Sequence, residues 1–473
     1  MNKFTSIVLI SLLAVQLGQV HGAEMPELQR SQEMLREIQR ISVEIERIES
    51  ESGPYSGDLL SPLQSLVELN QTENDFQEVA RLQARQLQIM RAELGLDHSD
   101  NIALVESIAA TNIRLGAWEQ VADNLEHIRY LQGVNSAGKP ELLLKAVATQ
   151  ASWLMAQTVV GENRRRPREL LKARELFDEL KDLAEDAYGE DSPEMAPWLY
   201  ARALHLYKLV AILNSRNGLA SDTLERLIQV DGVGRLQAYN SRAGLFNTFQ
   251  FGRNNQVPVL DGDSLVGEAY LRDGLSELRQ ISENFEAQGN IEAQAMAEIY
   301  SGDFRVLTDL GSGRKSYNKA RDLLLEVGIS QQRVTDFFSH PQVIPKEKFV
   351  TSFAEAEELQ KKAFRTSISE EGGLVLEFVA QQEDAPTVAM SSDYSDRWGF
   401  EIPSDFVEMS FTVSSRGVVS SADFLAATSN DKGLRRKAMR AVRGLKFRPR
   451  FEGEKSVRTK AVRLQYRVEE DPR

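Results

Sequence analysis

The sequence contains no cysteine, which excludes disulfide bonds, thiol nucleophiles and thiolate metal ligands. It has only 14 prolines among 473 residues and no proline-rich run, so it lacks a rigid extended spacer. Aromatic residues make up 7% of the chain and charged residues 27%, a balance that suits a helical protein with much charged surface. The length is sufficient for two or three domains, and the 42% hydrophobic content for a sizeable core.

Residues suited to catalysis or metal binding are scarce and scattered. After the N-terminal segment the histidines are His98, His127, His205 and His340, and their spacing matches no metal site. No hydrolase pattern of serine, histidine and aspartate stands out, and no carboxylate pair does. The segment Gly311–Ser316 lacks the glycine directly before the lysine and the distal glycine of a phosphate-binding loop, so it is interpreted as a turn. The sequence therefore predicts no catalytic, cofactor-binding or metal-binding residues, and a protein that is not an enzyme.

Charge is distributed unevenly along the chain. From Ser404 to Arg473 there are 16 Lys and Arg residues against 9 Asp and Glu, a net charge of +7. The whole chain carries −14, so the remainder carries −21. This acidic total argues against nucleic-acid binding by the whole chain. The basic C-terminal segment is interpreted either as solvated surface charge or as a surface that docks on the acidic body or on an acidic partner.

The N-terminus has the pattern of an export signal. Lys3 provides a positive charge, Phe4–Leu17 is apolar, and Val20–Ala23 offers the small residues that a signal peptidase requires. The apolar run is shorter than the roughly 20 residues that span a bilayer as a helix. Residues 1–23 are therefore predicted to be a cleaved signal peptide, and an uncleaved membrane anchor is the alternative. No later segment is apolar enough to cross a membrane.

A charged helix and then a repeat follow this signal. Residues 24–57 are predicted to form an N-terminal helix that ends in a glycine-proline break. Phe76 and Trp118 are 42 residues apart, and so are Ala80 and Ala122. Phe76 and Ala80 lie near the start of one predicted helix, and Trp118 and Ala122 near the start of another. The polar turn Leu96–Asp100 and a predicted amphipathic helix, Ile102–Leu115, lie between them. Such self-similarity at a fixed period predicts stacked helical hairpins.

These positions resemble the tetratricopeptide repeat in the 42-residue form of kinesin light chains. The resemblance is carried by the polar turn Leu96–Asp100, its recurrence at Tyr188–Pro193, and the aromatic–alanine pairs. It implies a helical solenoid over residues 58–330 that binds protein partners in its groove. Residues 229–262 are rich in glycine and asparagine and fit no repeat. A linker helix is predicted over residues 331–373.

From residue 374 onward the pattern changes from helical to strand-like. Apolar and polar residues alternate in the predicted strands, and a turn sequence joins the first two. The order is strand, strand, helix, strand, over Val407–Val413, Val418–Leu425, Leu434–Arg443 and Val457–Val468. This order predicts a small α+β domain over residues 374–473, with the helix on one face of a sheet.

The C-terminal domain resembles the TonB C-terminal domain family over residues 394–468. Phe411–Gly417 matches the first hairpin of the family, and Phe447 and Pro449 match its aromatic–x–proline exit from the helix. Tyr394 stands where the family has the tyrosine of a Tyr-Pro motif, although no proline follows it here. The resemblance implies the same α+β fold.

The resemblance also implies a mode of binding. Members of the family bind a short extended peptide of outer-membrane transporters by adding it as a strand to an open sheet edge. The matching edge is the strand that contains Arg463, Gln465, Tyr466 and Arg467, which are the predicted peptide-binding residues. The basic residues of this strand are also consistent with an edge protected against aggregation.

Together these features predict a mostly α protein, in which a tetratricopeptide-like helical solenoid precedes a small TonB-like α+β domain. The predicted function is non-enzymatic protein–protein interaction in the periplasm of a Gram-negative bacterium, without a cofactor or nucleic acid. Contact with a membrane is expected only through partners if the signal is cleaved. The alternative is a TonB energy transducer, anchored on the periplasmic side of the inner membrane, that drives transport through outer-membrane receptors.

Overall fold

The structure is a computed structural model, and contacts divide the chain into two compact units, Met1–Ala146 and Val147–Arg473. The predicted signal peptide lies outside the described residues. The structure describes residues 33–160, 166–213, 238–239, 246–247, 250–251, 258–259, 265–346, 348–363, 365–368, 374–380, 404–427 and 432–469.

The first unit consists of helices that pack in consecutive pairs. Helix α2 packs on α3 and α4 packs on α5, while α3 also contacts α4. The hairpins predicted from the 42-residue repeat are therefore present. The helices are α1 (33–52), α2 (Leu60–Thr72), α3 (Phe76–Leu94), α4 (Asn101–Arg114) and α5 (Trp118–Asn135).

Apolar residues at helical spacing bury one face of each of these helices. On α1, Ile41, Ile45 and Ile48 recur at spacings of four and three residues, and all three are buried. They belong to one core cluster with Leu63 of α2 and Val79 of α3, which are both fully buried. Each such side chain stabilises the unit by about 1.5–3 kcal/mol relative to an exposed one.

The polar turn between α3 and α4 is held by a glycine and by an asparagine. Gly95 has a φ of +99°, a backbone conformation that favours glycine. Asn101, fully buried at the start of α4, donates from Nδ2 to the carbonyl oxygens of Gly95 (2.9 Å) and Leu96 (3.2 Å). The turn recognised in the sequence therefore owes its shape to Asn101 as well as to its glycine.

Helix α6 contains the boundary between the two units, and helices continue through much of the second unit. Helix α7 packs on α8, α8 on α9, α9 on α10 and α10 on α11. The bounds are α6 (Pro140–Val160), α7 (Arg166–Tyr188), α8 (Ala196–Leu213), α9 (Glu268–Ala287), α10 (Ile291–Leu307) and α11 (Arg314–Glu326).

The aromatic–alanine spacing of the repeat has different surroundings in different helices. In α11, Tyr317 and Ala320 are fully buried, and a Cβ placed on Gly302 of α10 would lie 2.5 Å from the Tyr317 ring. The glycine therefore lets α10 and α11 approach closely. Trp118, the first residue of α5, is 37% exposed, in contrast to Tyr317.

Between α8 and α9 the described residues form short strands, each of two residues. Strand β1 pairs with β2 and β5, and β3 pairs with β4. This region includes most of the segment that fits no repeat in the sequence. The bounds are β1 (Ala238–Tyr239), β2 (Phe246–Asn247), β3 (Gln250–Phe251), β4 (Pro258–Val259) and β5 (Leu265–Val266).

The remainder of the second unit mixes helices and strands. The largest sheet has the strand order β10-β9-β14-β8-β7. The predicted order strand, strand, helix, strand is present as β9, β10, α14 and β14. The bounds are α12 (Gln331–Phe337), β6 (Gln342–Ile344), α13 (Phe353–Ala363), β7 (Arg365–Ile368), β8 (Leu374–Ala380), β9 (Ser404–Val413), β10 (Val419–Ala427), α14 (Lys432–Gly444), β11 (Lys446–Arg448), β12 (Arg450–Glu452), β13 (Lys455–Val457) and β14 (Thr459–Glu469).

The α+β core follows from the alternation in β9. Side chains at every second position of this strand are buried, as the period of a strand requires. Helix α14 covers them with Ala438 and Val442, which are both fully buried. The buried residues of this core are Val407, Met409, Phe411, Val413, Val419, Ala438, Val442, Phe447 and Val462.

The strand predicted to form an open sheet edge lies inside the sheet. Arg463–Tyr466 of β14 pairs antiparallel with β9 on one side and parallel with β8 on the other. The prediction of an open edge at these residues is therefore wrong, because the hairpin of β7 and β8 occupies that side. Among the described residues, the outer strands of this sheet are β10 and β7.

The segment predicted as a linker helix is also more varied than expected. Residues 331–373 contain the helices α12 and α13, but β6 lies between them and pairs antiparallel with β11. Phe447 of β11 is opposite Val343 of β6. The segment thus joins the helical part of the second unit to the C-terminal strands.

Candidate functional site

An exposed apolar surface lies at the turn between α3 and α4. Leu96 on this turn is 66% exposed, and Tyr130 and Val134 on α5 are each 53% exposed. Asp97 joins turn and helix, because its carboxylate accepts a hydrogen bond from the Tyr130 hydroxyl and its carbonyl accepts one from Asn135 Nδ2 at 2.7 Å. The bond to Asp97 raises the pKa of Tyr130. We call Leu96, Tyr130 and Val134 the turn patch.

Helices α3 and α5 also meet through a charged and a neutral side chain. Arg91 Nη2 lies 3.3 Å from His127 Nδ1. Burial, and then the charge of Arg91, lower the pKa of His127, so its neutral ring accepts a hydrogen bond from the guanidinium. The contact fixes α3 against α5. Within the part of the chain that the structure describes, no group of three His, Asp or Glu residues is placed to hold a metal ion.

A cluster of buried polar side chains lies where β11 meets α10. Arg448 donates to both carboxylate oxygens of Asp303, from Nε at 2.8 Å and from Nη2 at 2.6 Å. Both side chains are 4% exposed. The Tyr317 hydroxyl donates to the same carboxylate at 2.8 Å. We call Asp303, Tyr317 and Arg448 the buried triad, and its two-pronged ion pair is the strong form of such a contact.

Aromatic rings surround the guanidinium of this triad. Arg448 Cζ lies 5.2 Å from the ring centre of Phe337 and 5.9 Å from those of Phe338 and Tyr317. Burial disfavours the charged guanidinium, but Asp303 more than offsets this effect, so the pKa of Arg448 lies above its ordinary value. The backbone N–H of Phe451 donates to the Phe338 carbonyl at 2.9 Å. The C-terminal strands are thereby attached to α10, α11 and α12.

A lysine near the buried triad carries a perturbed charge. Burial, and then repulsion by Arg448, lower the pKa of Lys346 to about 8. Its Nζ donates to Gln342 Oε1 at 3.3 Å, which is a neutral acceptor. Its carbonyl accepts a hydrogen bond from the Tyr200 hydroxyl. The backbone of Lys346 is therefore anchored to α8, while no carboxylate of the described residues forms an ion pair with its ammonium group.

Lys346→Met is expected to stabilise the protein near neutral pH. It is also expected to remove the part of the pH dependence of the free energy of unfolding that this lysine causes. Between a pH of about 8 and the ordinary lysine pKa of 10.5, the unfolded chain binds this proton and the folded chain does not. The free energy of unfolding therefore rises with pH in that window, by at most about 1.4 kcal/mol per pH unit. Urea unfolding at a series of pH values should show this rise in the parent and not in the variant.

The control for this prediction is Lys348→Met. Lys348 lies two residues away, is 74% exposed and pairs with Glu355 at 2.9 Å. Its substitution should leave the rise between pH 8 and pH 10.5 unchanged. A Lys346→Met variant that retains the full rise would contradict the assignment of the lowered pKa.

The predicted peptide-binding residues occupy one strand but do not meet at an open edge. Arg463, Gln465 and Tyr466 are paired on both sides, and Arg467 pairs with Phe406 of β9. Arg463 Nη1 lies 3.7 Å from Glu408 Oε1. The side chains of Gln465, Tyr466 and Arg467 lie outside the described part of the structure. Strand addition at residues 463–466 would require β8 to leave.

Sequence reasoning missed the buried triad. Asp303 and Arg448 are 145 residues apart, so no local pattern connects them. One signal was available, because Asp303 is a lone acidic residue in the buried half of α10, where a charge requires a partner. That signal indicates a partner without identifying it.

No family model matches the sequence, and no curated protein matches it. Among the described residues, no helix is both long and apolar enough to span a bilayer.

The chain is similar to a crystal structure of a putative kinesin light chain with nearly identical TPR-like repeats from Podosopora anserina, at 15% identity and a TM-score of 0.27, over 43% of this chain and 87% of that one. It is also similar to BtubC (BKLC) from P. vanneervenii, at 14% identity and a TM-score of 0.26, over 63% of this chain and 93% of that one.

Proposed function

We propose that this protein is an exported, non-enzymatic protein that binds protein partners in the cell envelope. The turn patch is the observation that carries the proposal. Isolated apolar side chains are common on protein surfaces, but here a turn and a neighbouring helix present three together. Asp97 accepts a hydrogen bond from Tyr130, the aromatic member, and this contact reduces the side-chain freedom that binding would otherwise have to remove.

The C-terminal domain is proposed to belong to the TonB-like class and to act in the periplasm. The support is the order of β9, β10, α14 and β14, together with Phe447 and Pro449 at the exit from the helix. Binding of a transporter peptide as an added strand on β14 is a finer proposal, which requires displacement of β8.

A photo-crosslinking experiment tests the protein-binding function. The chain is expressed in its native host with p-benzoylphenylalanine in place of Val134, which is on the turn patch. The matched control carries the same group in place of Gln88, an exposed residue of α3. Irradiation is expected to give discrete protein adducts from position 134 and not from position 88. Equal adducts from both positions, or none from position 134, would contradict the proposal.

A second measurement tests export. The mature N-terminus is determined by mass spectrometry after fractionation of the host. A start at Ala23 or Glu24 in the soluble periplasm is the expected result. An intact Met1 in the inner membrane would favour the alternative, a membrane-anchored energy transducer.

A further inference from the structure

Helix α14 carries positive charge without any acidic residue. Six of its 13 residues are Lys or Arg. Lys432, Arg436, Arg440 and Arg443 are exposed and follow one another at spacings of four, four and three residues. That spacing places them on one face of the helix, in a row about 16 Å long. We call these four residues the basic row.

The charges of the basic row are not compensated within the described residues. Among the described residues, none of these four side chains has an ion-pair or hydrogen-bond partner. Helix α14 itself contains no Asp or Glu that could pair with them. Of the carboxylates in this domain, Glu408 lies by Arg463 and Glu452 by Arg450, while Asp423 is exposed on β10. Like charges one turn apart repel one another, so an anionic surface that covers the row would relieve a cost already present in the free protein.

The opposite face of α14 is fixed on the sheet. Ala438 and Val442 are fully buried against the core residues of β9. The row therefore belongs to a rigid helix, and its charges keep their spacing without the ordering of a mobile segment. Such preorganisation lowers the entropic cost of binding to a flat surface.

An exposed aromatic side chain accompanies the row. Phe424 of β10 is 42% exposed, and Arg435 Cζ of α14 lies 5.9 Å from the centre of its ring. Helix α14 makes more contact with β10 than with β9 or β14, and β10 is an outer strand of the sheet. The ring is thus at the border of the domain, next to the basic helix. Basic residues beside an exposed aromatic residue are typical of surfaces that lie in a membrane interface.

We propose that α14 and Phe424 form a docking surface for an anionic lipid bilayer. Four Lys or Arg residues on one helix reach the number at which attraction to anionic lipid headgroups becomes effective. A straight row on a convex helix fits a flat surface, and Phe424 enters the region between headgroups and acyl chains. Attraction to an anionic surface acts locally, because residues 404–473 carry a net charge of +7 although the whole chain carries −14. The inference goes beyond the proposed function and differs from the expectation that the membrane is reached only through partners.

The test is co-sedimentation of the full chain with lipid vesicles. One set contains phosphatidylcholine alone, and the other contains about 30% phosphatidylglycerol. The bound fraction is expected to rise at least about tenfold with the anionic lipid and to fall to the neutral-vesicle level at about 0.5 M salt. Equal binding to both vesicles, or binding that resists salt, would overturn the proposal.

Variants assign the binding to α14. Arg436→Glu with Arg440→Glu is expected to abolish binding to anionic vesicles, and Phe424→Ser to weaken it. The matched control, Arg416→Glu with Lys455→Glu, changes the net charge equally at exposed positions of the same domain and should bind as the parent does. If the charge-reversed variant fails to fold, Arg436→Gln with Arg440→Gln replaces it. Equal loss in the control would show that only total charge matters and would refute the docking surface.

Competition separates the other classes of partner. Polyglutamate and double-stranded DNA are added at equal charge concentration to the vesicle mixture. The proposal expects vesicle binding by the parent to survive a polyanion concentration that abolishes vesicle binding by Phe424→Ser, because the bilayer engages the ring as well as the charges. Equal sensitivity of the parent and of Phe424→Ser to both polyanions would show that the row is a general polyanion site and would overturn the membrane proposal.

Discussion

Asp303→Ala is expected to lower the free energy of unfolding by about 3–5 kcal/mol. The substitution leaves the Arg448 guanidinium, 4% exposed, without its counter-charge, and leaves the Tyr317 hydroxyl without its acceptor. An unpaired buried charge costs much more than the pair contributes, because the desolvation of the remaining ion is no longer offset. Urea unfolding followed by circular dichroism measures the loss.

Two further variants distinguish the cost of an unpaired buried charge from the cost of losing an ion-pair contact. Asp303→Leu combined with Arg448→Met removes both charges and should recover most of the loss. Asp309→Ala is the exposed counterpart, because Asp309 follows α10 and its Oδ1 lies 3.0 Å from Lys446 Nζ of β11, with the Asp309 side chain 54% exposed. It should cost less than about 1 kcal/mol. An Asp303→Ala variant no less stable than Asp309→Ala would refute the importance of the buried triad.

Gly417→Ala is expected to cost at least about 4 kcal/mol, a loss seen only when a substitution meets a severe structural conflict. Gly417 has a φ of +77° in the turn between β9 and β10. A Cβ at this position would lie 1.9 Å from the carbonyl oxygen of Phe447 and 2.9 Å from Val306 Cγ1. The Phe447 N–H donates to the Gly417 carbonyl at 2.8 Å, so the backbones cannot separate without losing this bond.

The matched control for Gly417 is a glycine of the same domain in open surroundings. Gly453 has a φ of +59°, and a Cβ there would meet no atom within 4 Å. Gly453→Ala should therefore cost only the conformational penalty of about 1–2 kcal/mol. Comparable losses at the two positions, measured by thermal unfolding, would show that the close approach of Phe447 is unimportant.

The elements of this fold were largely predictable from local sequence patterns. The 42-residue spacing of Phe76 and Trp118 predicted the helical hairpins, because the packing of two neighbouring helices depends on residues close in sequence. The alternation from Val407 to Val413 predicted a strand with one buried face, and that face is buried. The turn at Gly417 was predicted from its residue types, and its positive φ accounts for the glycine.

The pairing of distant elements was not predictable in the same way. The resemblance placed β14 at a sheet edge, but whether β8 covers that edge depends on contacts between segments that share no periodic pattern. The pairing of β6 with β11 was missed for the same reason, since a three-residue strand gives a weak signal. The basic row was visible as charge in the sequence, but only the burial of Ala438 and Val442 shows which face of α14 is free.

The contact between Asp303 and Arg448 also sets an order of events during synthesis. A ribosome that adds about 5–20 residues per second needs roughly 7–30 s to pass from one residue to the other. Once residue 338 has been added, the carboxylate of Asp303 and the faces of Tyr317 and Phe338 are present without the strands that later cover them. Termination after Phe338 but before residue 448 therefore releases α10, α11 and α12 without the strands that cover them, so their polar and aromatic surfaces remain open to chaperones and to aggregation.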